Sequence, residues 1–326
     1  MDYKKDKVSM VKVLVTGKGG QLAWELEQTL PSHIEVISLG IEELDITNQN
    51  AVYQACSKYK PNIVINAAAY TAVDKAEIDQ ATAYAVNEQG SENIALACKE
   101  IGASLIHVST DFVFDGSNTT PYQPHDTPCP INVYGDSKLQ GDIKVAQILG
   151  NQATIIRTAW VYSAHGNNFV KTMLRLMAEK DQLGIVYDQV GTPTWAKGLA
   201  MMIWELVEKL KVKRNDTAKC SDELSTLSEA NFPLLPQFLH WTDAGVASWY
   251  DFAVAIQELA LEKGMLNKEI PVGPISQTAY PTPAKRPSFS VIDKTTAEEA
   301  CGIKTTHWRK QLSMMLDELK ATSEEE

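Results

Sequence analysis

Residues 11–26 read VKVLVTGKGGQLAWEL. Residues 11–16 form an apolar, β-branched run that reads as a buried strand. TGKGGQLA at 16–23 supplies a glycine-rich turn, and a helical pattern continues through Leu26 and Leu30 to Pro31. Gly17 and Gly20 permit a tight turn and close approach of a pyrophosphate to the backbone. Ala23 is the third small position, where helix and strand pack closely. The helix N-terminus then faces the negative charge. A lone glycine cluster is often only a turn; the strand–turn–helix setting is what favours dinucleotide binding.

The same alternation recurs downstream. Residues 33–39, 62–69, 103–110 and 153–162 read as further strands, and 51–60 as a helix. A long Ala-rich helix is expected from Asp79 to Ile101, closed by Gly102. The expected fold is therefore α/β, a doubly wound parallel sheet covered on both faces. The turn after Thr16, the triplet Ala67, Ala68 and Ala69, the pair Ser109-Thr110 and the pair Arg157-Thr158 would then share the carboxyl edge. Ligands bind there in open α/β sheets. Small side chains in the Ala triplet would let a flat cofactor lie across that edge; tight packing alone would also explain them. Asp45 follows the second strand and fits either the adenine end of a cofactor or a helix cap. That strand ends in Ser38-Leu39-Gly40-Ile41, with neither an acid nor an arginine to choose NAD or NADP.

After residue 160 the pattern changes to helices and loops. Helices are expected over 168–180, 196–211, 249–264 and 309–320. A Pro-studded loop spans 276–290, and 212–232 reads as a polar surface insertion. Residues 1–10 are polar and are treated as a tail preceding the first strand.

The net charge of −11 argues against nucleic acid as a partner. No apolar run approaches the roughly 20 residues of a membrane helix. Five scattered cysteines without a CxxC suggest reduced thiols and a cytoplasmic setting, and the six histidines show no HxxxH spacing.

The chemistry-bearing stretch is STDFVFDG at 109–116 followed by NVYGDSKLQGD at 132–142. Tyr134 and Lys138 are four apart, on one face of a helix. That spacing is cheap, and it also occurs at Tyr3 and Lys7. Its position behind a dinucleotide turn gives it meaning. Bringing a tyrosine from about 10 toward 7 takes roughly 4 kcal/mol of preferential phenolate stabilisation. A nearby ammonium and a nicotinamide cation would supply it. Tyr134 would then serve as general acid or base, with Thr110 hydrogen-bonding the reacting oxygen.

With GKGGQLAWEL, NAAAYTAVDKAE, VNEQGSENIA, STDFVFDG, NVYGDSKLQGD, RTAWVYSAHGNNFVKTML, DQVGTPT and AYPTPAKRP in this order, the chain resembles an extended short-chain dehydrogenase/reductase. Within that group it is similar to the dTDP-4-dehydrorhamnose reductases. The resemblance implies a Rossmann domain binding NADPH or NADH at 11–160 and a mainly substrate-binding region at 161–326. It implies reduction of a C4 ketone on a dTDP-sugar. Thr110, Tyr134 and Lys138 match the catalytic set. Gly17, Gly20, Gln21, Leu22, Asp45, Ile46, Ala67, Ala68, Ala69, Tyr134 and Lys138 match cofactor positions. Thr110, Asp111, Trp160 and Asn168 fall on the substrate side, with Trp160 meeting the deoxysugar. Arg286 is the candidate for the diphosphate, since a guanidinium suits phosphate oxygens.

Departures from the family pattern are Ala23 for glycine, Asp142 where glutamate is commoner, and the 212–232 insertion. Some relatives are dimers bridged by a glutamate-held metal. Glu25 matches one such position, but Lys197 and Arg309 occupy the others and would repel a metal or pair with Glu25. No metal is expected, and the chain would be a monomer or homodimer. Three rival readings stand beside this reductase, the first a reductase giving another 6-deoxy sugar epimer, which would share every motif quoted. A 4,6-dehydratase needs a second acid after the threonine, where this chain has Phe112. A non-catalytic subunit resembling the accessory subunit of methionine adenosyltransferase shares the fold but would not need all three of Thr110, Tyr134 and Lys138.

Overall fold

The computed structural model describes residues 10–220 and 237–325. Strand β1 (Val11–Thr16) leads through the glycine turn to α1 (Gln21–Gln28), β2 (Ile34–Leu39), α2 (Gln49–Tyr59) and β3 (Ile63–Asn66). Short helices α3 (Val73–Ala76) and α4 (Gln80–Tyr84) precede a π-helical segment, Ala85–Gln89, and α5 (Gly90–Ile101). Then come β4 (Ser104–Thr110), α6 (Val133–Leu149) and β5 (Ala153–Thr158).

The remaining elements are β6 (Val161–Tyr162), α7 (Phe169–Glu179), β7 (Leu183–Val186), β8 (Val190–Gly191), β9 (Thr194–Trp195) and α8 (Ala196–Cys220). They continue with β10 (Phe238–His240), β11 (Ala247–Ser248), α9 (Trp249–Glu262), β12 (Val272–Ile275), α10 (Thr295–Cys301) and α11 (Trp308–Glu325).

One sheet of six parallel strands, in the order β10-β5-β4-β3-β1-β2, forms the centre. Alternate residues go to opposite faces, as the strand period requires. Val13, Val15, Ile63, Ile65, Ile106 and Ile156 meet α1, α8 and α10 on one side. Leu14, Val64, Leu105 and Ile155 meet α2, α5 and α6 on the other. The fold is Rossmann-type α/β. Because β1 lies between β2 and β3, the chain leaves β1 first one way and then the other. This opens a crevice at the carboxyl ends of β1 and β3.

Four sequence expectations are corrected. The helix expected over 79–101 is interrupted by the π segment. The strand expected over 153–162 stops at Thr158, because Trp160 takes a left-handed φ of 49°. The helix expected to end at 211 runs to Cys220, since no Gly or Pro between 199 and 220 stops it. Part of the supposed 212–232 insertion is thus helical, and its portion beyond Cys220 lies outside the described residues. Finally, the later region does contain strands. β10 returns to the central sheet beside β5, and the others form two-stranded pairs. The chain after 160 also contributes α8 and α10 to the first core, while α7, α9 and α11 enclose a second core around Phe252, Ile256 and Leu312.

Candidate active site

The glycine turn, the end of β3, the end of β4 and the start of α6 line one cavity of about 800 Å³. Gly17 and Gly19 have φ of 79° and 86°, which side-chain-bearing residues rarely adopt. A Cβ on Gly17 would lie 2.8 Å from the Ala68 amide nitrogen, so the turn is pressed against the Ala triplet. The Gly20 amide donates to the Gly17 carbonyl at 3.0 Å, closing the turn at the start of α1. Gly19 escaped the sequence reading. Its signal was present in GKGG, but the string alone does not say which glycines carry the unusual torsion.

Gln21, Leu22, Asp45, Ile46, Ala67, Ala68 and Ala69 all line the same cavity. Asp45 Oδ1 also accepts from the amide and hydroxyl of Thr47, at 2.9 and 2.8 Å, and so fixes its own turn. Further lining residues that the sequence did not single out include Val86, Gly166 and Asn167.

Thr110 closes β4. Its hydroxyl donates to Asp111 Oδ1 at 3.1 Å and accepts from the Phe112 amide at 3.2 Å. Asn132 caps α6 by accepting from the Gly135 amide at 2.7 Å. Its amide donates to the Lys285 carbonyl, tying the helix start to the later region. The first turn of α6 presents Tyr134 and the second Lys138; both are buried at the cavity wall. Lys138 Nζ donates to the Val108 carbonyl at 2.7 Å. The Phe112 ring meets that of Tyr134 edge-on, with centroids 5.5 Å apart.

The electrostatics differ from the sequence expectation. Burial pushes the Tyr134 phenol up to about 12; Thr110 opposes this, while Asp111 and Asp142 add to it. Burial also brings Lys138 down to about 8, with the Asp142 charge acting against it. Asp111 is pushed up to about 6 by burial, against hydrogen bonds from Ser290 and Thr110. Tyr134 is therefore a neutral acid at physiological pH, and Lys138 is a cation near the edge of its range.

Trp160 lines the cavity from the far side. Its ring stacks on Trp249 at 3.5 Å between centroids, and Phe169 packs against Trp249 at 4.7 Å. Two substrate candidates stand elsewhere. Asn168 caps α7 by accepting from the Lys171 amide, and its amide donates to Gln21 Oε1 and the Ser163 carbonyl. Its neighbours Gly166 and Asn167, rather than Asn168, line the cavity. Arg286 also lies outside the lining, because Asp74 holds its guanidinium in a two-pronged pair at 3.0 and 2.7 Å.

The expected pairing of Glu25 with Lys197 or Arg309 does not form. Lys197 pairs with Glu318 and Arg309 with Glu258. Glu25 is fully buried and accepts from Ser163 Oγ at 2.7 Å and Trp195 Nε1 at 3.2 Å. Burial raises its carboxyl above the usual range, against those hydrogen bonds.

The residues fit a dinucleotide. The left-handed glycines remove side chains from the crevice, and the Ala triplet keeps the sheet edge low. Thr158 lines the cavity, and its buried Oγ1 is without a hydrogen-bond partner among the described residues. Such a polar atom calls for a partner.

A parallel sheet with a glycine turn at its switch point and a Thr–Tyr–Lys wall defines a nicotinamide-dependent oxidoreductase of the extended short-chain type. The family model for the RmlD substrate binding domain matches residues 11–321. The dTDP-4-dehydrorhamnose reductase of Aggregatibacter actinomycetemcomitans is 39% identical over 305 residues, which is 93% of this chain and 97% of that one. The chain belongs to the dTDP-4-dehydrorhamnose reductase family. Among solved structures, the Clostridium acetobutylicum dTDP-4-dehydrorhamnose reductase superposes with a TM-score of 0.82 at 37% identity. The match covers 95% of this chain and all of that one. The Bacillus anthracis enzyme, solved in complex with NADP, also gives 0.82, at 32% identity, covering 94% and 99%.

Proposed function

We propose that this chain reduces dTDP-4-dehydro-6-deoxy-L-mannose (dTDP-4-dehydrorhamnose) to dTDP-L-rhamnose, with Tyr134 as general acid. The observation that carries the reading is the convergence of Thr110, Tyr134 and Lys138 on the cavity that the glycine turn opens into. A reduced nicotinamide bound along Gly17, Gly20, Asp45 and the Ala triplet supplies hydride to the sugar C4. The chain itself handles the proton. Thr110 orients the C4 oxygen, and the Tyr134 phenol, held neutral by burial, gives that oxygen its proton. Lys138 sits one turn along α6, where its ammonium stabilises the phenolate left behind and holds the nicotinamide ribose.

Asp111 and Trp160 bound the sugar. The stacked Trp160 face suits the apolar side of a deoxysugar, and Phe112 stands where a dehydratase would need a second acid. Asn168 and Arg286 are withdrawn from direct substrate contact, since their polar atoms are already engaged within the chain. We assign a dinucleotide-binding body built on 11–160 and a substrate-binding body drawn mainly from 161–326. The acidic balance and the free Cys56, Cys98, Cys129 and Cys301 accord with a cytoplasmic enzyme acting on a small nucleotide sugar.

The test supplies purified protein with dTDP-4-dehydrorhamnose and NADH or NADPH separately, and identifies the product sugar. dTDP-L-rhamnose is expected. Tyr134→Phe should lower kcat by about 10²-fold or more. Near-normal turnover in that variant would sink the mechanism.

A further inference from the structure

Lys138 and Asp142 are one turn apart on α6, so both side chains descend on the same edge of β4. They grip consecutive residues. Lys138 Nζ donates to the Val108 carbonyl at 2.7 Å, and Asp142 Oδ2 accepts from Ser109 Oγ at 2.8 Å. The next residue is Thr110. Asp142 is 1% exposed, on the sheet side of α6. A carboxylate so placed needs a reason, because burying an unpaired charge is costly. Its surroundings supply one. Arg157 Nε from β5 lies at 3.5 Å, and His107 Nε2 from β4 also at 3.5 Å. His107 Nδ1 meets Asn66 Nδ2 at 3.1 Å, and Asn66 accepts from Thr16 Oγ1 at 2.7 Å. A buried polar chain therefore runs from the strand before the glycine turn, through β3 and β4, to α6 and β5.

We propose that Asp142 is a positioning residue for the reaction: it holds the Lys138 ammonium charged and clamps the β4 end that presents Thr110. The inference rests on the Thr110–Tyr134–Lys138 reading above.

The groups around Lys138 support this. From its own helix, Tyr134 and Asp142 face it. From β4, His107 faces it, and burial together with the Lys138 charge keeps that ring neutral. Arg157 of β5 acts on Asp142 from the far side, and Asp111 acts on Tyr134. Burial favours the charged form of neither partner. For Asp142, however, His107, Arg157 and Lys138 outweigh burial and hold the carboxyl below its usual range. Asp142 thus stays ionised where Lys138 titrates, and it is the group that opposes neutralisation of the ammonium.

The experiment measures NADPH affinity by nicotinamide fluorescence, and kcat with dTDP-4-dehydrorhamnose, from pH 6 to 9. It compares the wild type, Asp142→Asn, Asp142→Glu and Ser109→Ala, with folding checked by circular dichroism. In Asp142→Asn the alkaline limbs of both profiles should move about one unit lower. NADPH binding should match wild type at pH 6 and loosen about fivefold at pH 8, the loss of one charge-assisted contact. Asp142→Glu should restore the wild-type limbs. Ser109→Ala keeps every charge but opens the clamp, and should lower kcat about threefold or more without moving the limb.

A folded Asp142→Asn protein with wild-type limbs overturns the proposal. If that variant does not fold, wild-type kcat in Ser109→Ala overturns it instead. Tyr134→Phe and Lys138→Met distinguish the two levels. Normal turnover in those removes the underlying site reading, whereas their loss of activity beside wild-type limbs in Asp142→Asn removes only the role of Asp142.

Discussion

Trp160 carries the most strained backbone at the site. Its φ of 49° is held by a face-to-face stack on Trp249 at 3.5 Å and by a strand break on either side. A bulky residue keeps such a torsion only where its surroundings fix it, and such strain gathers at ligand walls. Trp249 supplies the backing for Trp160, and Phe169 backs Trp249 in turn. Trp249→Ala should let the Trp160 ring tilt. The KM for the dTDP-sugar is expected to rise about tenfold with a smaller fall in kcat, as lost positioning rather than lost chemistry predicts. The stacked-indole signature in near-ultraviolet circular dichroism should vanish. An unchanged KM beside a lost signature would separate the stack from sugar binding. At this scale, much of the cavity wall was legible in the chain's own letters, because the motifs fix the strand ends. Trp249 was not, since stacking between residues 89 apart leaves no local pattern. Asn168 and Arg286 lie outside the cavity lining, engaged in a helix cap and an ion pair that are invisible in sequence until Lys171 and Asp74 are brought near.

The alternation of apolar runs and amphipathic segments located the central strands through β5 and the helices between them, since periods of 2 and 3.6 report directly on burial. It could not report the π segment at Ala85–Gln89, where one extra residue per turn changes no residue type. That segment has a task. It aims Asn87 so that Oδ1 accepts from the Tyr70 amide at 2.9 Å and Nδ2 donates to the Tyr70 carbonyl and to Ser137 Oγ. Tyr70 follows the Ala triplet, so the π turn anchors the floor of the cavity from outside. It also lies against α6, where a Cβ on Gly141 would stand 2.2 Å from the Asn87 carbonyl oxygen. Gly141→Ala should therefore force α6 away from the π turn, costing about 1–3 kcal/mol of stability. Cofactor affinity should fall with it, because Tyr134 and Lys138 ride on α6. Denaturant unfolding and NADPH titration of the same sample check both. Wild-type stability would mean that the two helices slide freely, against the close packing described here.

At the scale of the whole molecule, a buried acid stands where the later part of the chain closes on the central sheet. Asp243 follows β10 and is 2% exposed. It accepts from the Trp195 amide at 3.0 Å and from Gln311 Nε2 at 3.4 Å, and so joins β9 to α11. Burial pushes its carboxyl up to about 8, against those two hydrogen bonds and the more distant Lys294 charge. The sign of the linkage follows from proton counts. Between its ordinary value near 4 and about 8, the folded chain holds a proton on Asp243 that the unfolded chain has released. Stability from this group is thus fully present below pH 4 and is lost as pH rises toward 8. Asp243→Asn removes the titration and keeps a carbonyl oxygen for the Trp195 amide. The variant should melt higher than wild type at pH 8, and the difference should shrink steadily toward pH 4. A melting difference that does not vary with pH would show that Asp243 is charged when folded and paired across the interface. Asp111, pushed up to about 6 by burial at the cavity itself, adds the same trend over a narrower range. Both acids lower stability as pH rises toward 8, where their effect is complete, whereas Lys138 loses its charge above about 8; the wild-type melting series should therefore decline between about pH 4 and 8 and the activity series above about 8. In Asp243→Asn the activity limb should stay in place while the melting curve flattens, which separates the stability of the closed molecule from the chemistry of its site.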